Sequence, residues 1–262
     1  MMVWNRIHAD FLMPSRLGDY ARFLETALAA TYSVTGIERF WRLATGPSGL
    51  PAGRYFVLRH DVDTDPRTAG AMWRIERSLD VTSSYFFRLS TRDDALMTEI
   101  AAGGGEVGYH YEEISTVAKQ RRLRTREEAL RALPEARQRF RANLGALRSG
   151  TGLPLRVAAS HGDFVNRRLE VPNSTILDDR AFRREVGIEL EGYDDDLISR
   201  MPVRSTDSAP PQRWRYADPV AAIARGEPVI YTLVHPRHWR AARAVNARDD
   251  IKRLWEGLAY QL

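Results

Sequence analysis

Five of the six histidines stand at the ends of short apolar runs. His60 closes Tyr55-Phe56-Val57-Leu58-Arg59 and leads into Asp61-Val62-Asp63. His110 follows Glu106-Val107-Gly108-Tyr109, and His161 follows Val157-Ala158-Ala159-Ser160. His235 and His238 come after Val229-Ile230-Tyr231-Thr232-Leu233-Val234, and His8 alone lies elsewhere. Imidazoles and carboxylates repeated at the ends of strand-like runs predict one polar site where several parallel strands finish. Such groups bind a divalent ion or carry protons. The chain has no cysteine, which excludes disulfides and thiolate metal sites, so any metal must be held by His, Asp or Glu.

Asp61 and Asp63 are the strongest pair. Two residues apart on a strand, they share a face. One carboxylate can then bind a metal while its neighbour accepts a proton from water. The competing reading is a helix N-cap cluster, since Asp63-Thr64-Asp65 precedes Pro66, although Asp65 can fill that role alone. His110 reads either as a ligand or as a core histidine bonded to backbone, and His161, before Gly162-Asp163, reads the same way. His235 is placed to donate a proton, while His238 falls on the following turn, at the surface or behind the site. Asp194-Asp195-Asp196 can bind a cation but reads first as a solvated loop. No Gly-x-Ser-x-Gly elbow and no phosphate-cradling Gly-x-x-x-x-Gly-Lys-Ser/Thr loop occurs. Gly103-Gly104-Gly105 precedes a strand, where a dinucleotide-binding loop would follow one.

The elements that must position these groups alternate between strand-like and helix-like, which predicts a parallel α/β architecture. Strands are expected near residues 54–60, 83–89, 107–111, 156–160 and 228–234, with short ones near 187–191 and 201–204. Asp65-Pro66 opens a helix whose apolar stripe is Ala69, Met72, Ile75 and Leu79. Thr125 and Glu128 form a capping-box pattern ahead of a long helical stretch, where Pro134 predicts a kink or a break. Residues 17–44 read as helical, residues 217–225 as a short helix and residues 249–260 as a closing helix. The stretch 166–211 has little periodicity. With 262 residues, the chain is read as one domain in which residues 1–50 form a helical lead-in.

Composition narrows the class. Hydrophobic residues are 44% and charged residues 28%, ordinary for a globular protein. The opening Met1-Met2-Val3-Trp4-Asn5-Arg6-Ile7-His8-Ala9-Asp10 lacks the apolar core of a secretory leader, and no run approaches the roughly 18 apolar residues of a membrane span. A cytoplasmic location is expected on that basis. Net charge is +5, carried almost wholly by arginine, since Lys119 and Lys252 are the only lysines. The densest basic run, Arg121-Arg122-Leu123-Arg124-Thr125-Arg126, reads as a solvated helix start or as a surface for an anionic partner such as nucleic acid, phospholipid or a sugar diphosphate. No nucleic-acid motif accompanies it, so a nucleic-acid partner is not expected.

The ordered motifs resemble the NodB-homology polysaccharide deacetylases, the carbohydrate esterase 4 group, in the branch whose first motif reads His-Asp-Val-Asp. The matching pieces are Leu58-Arg59-His60-Asp61-Val62-Asp63, Ser84-Tyr85-Phe86-Phe87, Gly105 to Glu112, Ser160-His161-Gly162 and Thr232-Leu233-Val234-His235-Pro236. They run over about residues 54 to 240. The resemblance implies a distorted (β/α)7 barrel, a divalent metal that is most often zinc, and removal of an N-acetyl group from an amino sugar. By motif position Asp61 resembles the catalytic base, Asp63 and His110 metal ligands, and His235 the acid. The family's second motif carries another histidine four residues on, where this chain has Ile114, and its Arg-x-Pro motif is replaced by Ser160-His161-Gly162. His161 is the expected replacement ligand and Glu112 the second choice. His60, Asp163 and His238 stand as further candidates behind or beside the site.

Three functions follow as expectations. The first is a metal-dependent deacetylase of a small-molecule or oligosaccharide amino sugar, with a nucleotide- or lipid-linked sugar favoured by the missing leader. The second is a divergent, non-catalytic binding protein on the same fold. The third is a hydrolase of another C–N bond, such as a cyclic ureide.

Overall fold

A computed structural model describes residues 7–208 and 213–261. Residues 1–6, most of the opening segment discussed above, lie outside them, as do residues 209–211 of the aperiodic stretch.

In chain order the elements are α1 (Leu17–Ala29), β1 (Tyr32–Thr35), α2 (Ile37–Thr45), β2 (Arg54–Val62), α3 (Pro66–Ser78), β3 (Ser84–Phe87), α4 (Asp94–Ala102) and β4 (Glu106–Tyr111). Then come α5 (Glu113–Arg121), α6 (Arg126–Arg131), α7 (Leu133–Thr151), β5 (Val157–Ser160), α8 (Phe164–Leu169), α9 (Arg180–Glu185) and β6 (Leu190–Glu191). The chain finishes with α10 (Asp195–Ile198), β7 (Val203–Asp207), β8 (Trp214–Tyr216), α11 (Pro219–Ala224), β9 (Val229–Val234) and α12 (Arg243–Gln261).

The strands form one sheet in the order β6-β5-β4-β3-β2-β9-β7-β8, with β1 also on β2. The pairings are parallel except β7 with β8, which is antiparallel. β1 lies against Arg54–Val57 and β3 against Arg59–Val62, so β2 is paired along its whole length. This is the α/β class expected, a curled parallel sheet whose edge strands β6 and β8 leave it an open half-barrel.

One difference from the sequence expectations has a local cause, and the break expected at Pro134 is found. The lead-in is not helical throughout. Tyr32-Ser33-Val34-Thr35, aromatic and β-branched, leaves the helix at Thr31, which sits at φ +62, and pairs with β2. Pro134 lies at the start of α7, where its missing N–H costs nothing, and the helical stretch breaks between α6 and α7.

Alternation along β2 sorts the core. Phe56 and Leu58 pack outward with Tyr20, Phe23 and Leu24 of α1 and Met72 of α3. Tyr55 and Val57 pack inward with Phe86, Val157, Ala159, Tyr231 and Leu233, and α2 adds Ile37 and Phe40 to that inner cluster. Continuing the alternation sends Arg59, Asp61 and Asp63 inward at the carboxyl end of the strand. Asp65 caps α3, accepting from the Arg67 backbone N–H at 3.1 Å. The capping duty therefore falls on Asp65, not on Asp61 or Asp63.

Candidate metal centre and active site

Asp63, His110 and His161 bring one ligand atom each to a common point. Asp63 Oδ1 lies 3.3 Å from His110 Nε2 and 3.2 Å from His161 Nδ1. The two imidazole nitrogens are 3.3 Å apart. A tetrahedral ion with ligand bonds of about 2.0–2.1 Å holds its ligand atoms about 3.3 Å from one another. The trio therefore outlines one face of such a tetrahedron.

The donor chemistry agrees with that spacing. His110 Nδ1 donates to the Ala159 carbonyl at 2.9 Å, because a carbonyl only accepts, which leaves Nε2 with a lone pair aimed at the site. Asp63 Oδ1 is buried and makes no well-aligned hydrogen bond despite its two close nitrogens. A buried carboxylate oxygen without a donor is costly unless a cation meets it. Burial favours the protonated form of Asp63, but His161 and His110 outweigh that and hold its carboxyl well below the ordinary range. The His161 backbone is fixed from both sides: its backbone N–H donates to the Tyr111 carbonyl at 2.8 Å, and its backbone carbonyl accepts from the Asn173 side chain at 2.7 Å.

A second group, Asp207, His235 and His238, has a different character. Asp207 Oδ1 lies 2.7 Å from His235 Nδ1 and 2.9 Å from His238 Nδ1, hydrogen-bond lengths shorter than the edge of a metal tetrahedron. Its Oδ2 accepts from the His235 N–H at 2.8 Å and the Trp239 indole at 2.9 Å. This carboxylate is satisfied by protons and fixes both rings. Burial opposes a charge on His235, but the Asp207 carboxylate outweighs it and raises the imidazole to about 9. Asp61 and Asp63 are near enough to push in the same direction.

Asp61 stands beside the metal trio, its Oδ2 3.6 Å from His110 Nε2. Both of its oxygens are held by Arg59, at 2.7 Å from Nε and 2.8 Å from Nη2. Burial alone would raise the Asp61 pKa, yet the Arg59 guanidinium brings it below the ordinary carboxylate value. Arg59 is itself fully buried, stacked against Phe86 and Tyr193 at 5.0 and 4.7 Å. Gly192 lets the guanidinium in, since a Cβ there would stand 2.6 Å from Arg59 Nη1.

The remaining candidates lie away from the ligand point. His60 faces outward, stacked on Tyr85 at 4.0 Å and bonded to the Tyr20 hydroxyl at 2.8 Å, in a buried cluster with Glu76. The Glu112 carboxylate is taken by Arg88, at 2.6 Å and 2.8 Å from Nη2. Asp163 caps α8 and pairs with Lys119 at 2.9 Å. Asp194 is bonded by Arg183 at 2.7 Å, while Asp195 and Asp196 begin α10. Ile114 is a buried core residue.

The sequence reading quoted Arg59 without singling it out as a site residue, and it did not name Asp207. Arg59 carried a signal: an arginine two residues before a strand-end aspartate shares its face. Asp207 ends β7, beyond the short strand expected near 201–204, and no pattern in the sequence singled it out. A cavity of about 570 Å³ opens beside His161, with Ser160, Asn173 and Tyr193 in its wall.

No protein-family model matches this chain, and no curated protein does. Among solved structures, it is similar to the crystal structure of a mutant of BA3943, described as a CE4 family pseudoenzyme with restored enzymatic activity. The TM-score is 0.41 at 12% identity, over 78% of this chain and 65% of that one. This chain thus spans just under two thirds of that structure, a likeness too distant to transfer residues or activity.

Proposed function

We propose that the chain is a metal-dependent hydrolase that removes an N-acetyl group from an amino sugar or related carbohydrate. The observation that carries this reading is the convergence of Asp63, His110 and His161 at 3.2–3.3 Å beside the Asp61 carboxylate that Arg59 holds. The ordered motif resemblance supplies the acyl-amide chemistry. Asp63, His110 and His161 would hold a divalent ion, with zinc fitting two imidazoles and one carboxylate. When bound, such an ion polarises an acyl oxygen and acidifies water.

The chain's own residues supply the proton transfers. Asp61 stays ionised, because Arg59 holds it below the ordinary pKa, and accepts the proton of the attacking water at a carboxylate oxygen. Arg59 fixes which way that carboxylate points. His235 remains protonated at neutral pH under the influence of Asp207 and gives its proton to the departing amine. Its Nδ1 is bonded to Asp207, so Nε2 is the atom left to donate.

The test separates the two roles. Asp61→Asn should keep fold and metal yet lose most activity, since an amide cannot accept the proton. Removing His235 should slow amide substrates by about 10²–10⁴-fold while sparing an activated aryl acetate, whose leaving group needs no proton. If metal-loaded wild type releases acetate from no N-acetyl sugar, the non-catalytic reading, favoured by Ile114 at the position of the family's other histidine, replaces this one.

A further inference from the structure

The last helix is turned inside out. α12 puts its polar face against the body of the protein. Asn246 is fully buried and donates to the Asp10 carbonyl at 2.8 Å. Asp249 and Asp250 each meet Arg237 at 3.0 Å, and Glu256 meets Lys119 at 2.7 Å. The outer face carries Ile251, Leu254, Trp255 and Leu258, exposed by 58, 64, 67 and 46%. Residues spaced three, four and seven apart form one stripe on a helix, and in a globular domain that stripe faces the core.

A second observation lies at the end of the same helix. The Tyr260 ring stands between the guanidinium groups of Arg124 and Arg168, 4.6 and 5.4 Å from its centre. Arg126 donates to the Glu170 backbone carbonyl at 3.0 Å. Arg126 and Arg168 are exposed and Arg124 is half-buried. Exposed Arg122 and Arg167 adjoin them in sequence. Carboxylates share the region: Glu128 is engaged by the backbone N–H groups of Arg124 and Thr125, Asp163 is paired with Lys119, and Glu127 and Glu170 are exposed.

We propose that the outer face of α12, with the arginines around Tyr260, docks this protein onto an anionic lipid bilayer surface. Aliphatic side chains in such a stripe enter the headgroup boundary, tryptophan sits at that level, and basic side chains flanking it meet lipid phosphates. A second copy of the chain fits less well. Four side chains at these exposures present roughly 500 Å², short of the about 800 Å² that one partner contributes to a standard protein interface. The proposal stands independently of the hydrolytic reading.

Co-sedimentation of the full chain with phosphatidylcholine vesicles, with and without phosphatidylglycerol, tests it. Binding should need the anionic lipid and weaken as salt is added. Arg168→Gln should weaken it by about fivefold, the effect of one basic charge near the surface. Leu254→Glu should abolish it without altering the melting temperature, because that side chain touches solvent. Equal binding to both vesicle types, or none to either, overturns the proposal. So does a dimer in sedimentation velocity that Leu254→Glu dissociates, since the face would then belong to a second copy.

Discussion

Arg59 and Asp61, two residues apart on β2, form a buried two-bonded fork, 2.7 and 2.8 Å long, beside the candidate metal ligands. The fork combines charge with direction. Arg59→Lys would keep the charge but lose the paired geometry. The expected outcome is a lower kcat and an acid limb of the rate profile displaced to higher pH, because Asp61 loses its strongest stabilising partner. Arg59→Met would leave a buried carboxylate unpaired and should cost about 3–5 kcal/mol of stability, read from the denaturant midpoint. An unchanged rate profile in Arg59→Lys would mean that Asp61 does not depend on the fork.

The raised pKa of His235 makes a prediction with a definite sign. A proton donor titrating at about 9 stays charged through neutral pH, so the basic limb of the activity profile should begin only as pH rises past that value. Asp207→Asn removes the carboxylate responsible, and the basic limb should move down toward the ordinary imidazole value of about 6.5. The same linkage gives folding stability that is present in full below about 6.5 and is lost as pH rises through the folded-state value. A basic limb unmoved in Asp207→Asn would assign that limb to another group.

Glu112 and His161 compete for one role, and their contacts separate them. Glu112→Ala should leave metal content unchanged and loosen Arg88, which also holds the Asp63 carbonyl at 3.2 Å. The predicted result is a modest fall in melting temperature with full metal occupancy. Loss of metal from Glu112→Ala with retention in His161→Ala would reverse the assignment.

What was legible in the sequence follows from how each residue announces itself. Asp61, Asp63, His110, His161 and His235 are polar groups breaking apolar runs, and the structure places all five at the carboxyl ends of parallel strands. Strand alternation separates His60, which shares their motif but faces the helices, and the sequence reading did not apply it there. Asp207 was hidden because β7, Val203–Asp207, has a largely polar sequence with no apolar run for it to break, and the strand expected near 201–204 stops before it. β1 was hidden for the opposite reason: four residues between two strong helical patterns read as part of them. The outward stripe of α12 matched an ordinary closing helix, and only its placement shows which face is turned out.

The metal content of the purified protein tests the central claim most directly. After dialysis against metal-free buffer and addition of zinc, wild type should retain one ion per chain, and His161→Ala and Asp63→Ala should each lose it while keeping the wild-type circular dichroism. A three-ligand site with one ligand removed binds far more weakly, by about 10-fold or more. Retention of the ion by both variants, or failure of the folded wild type to bind any, would contradict the account.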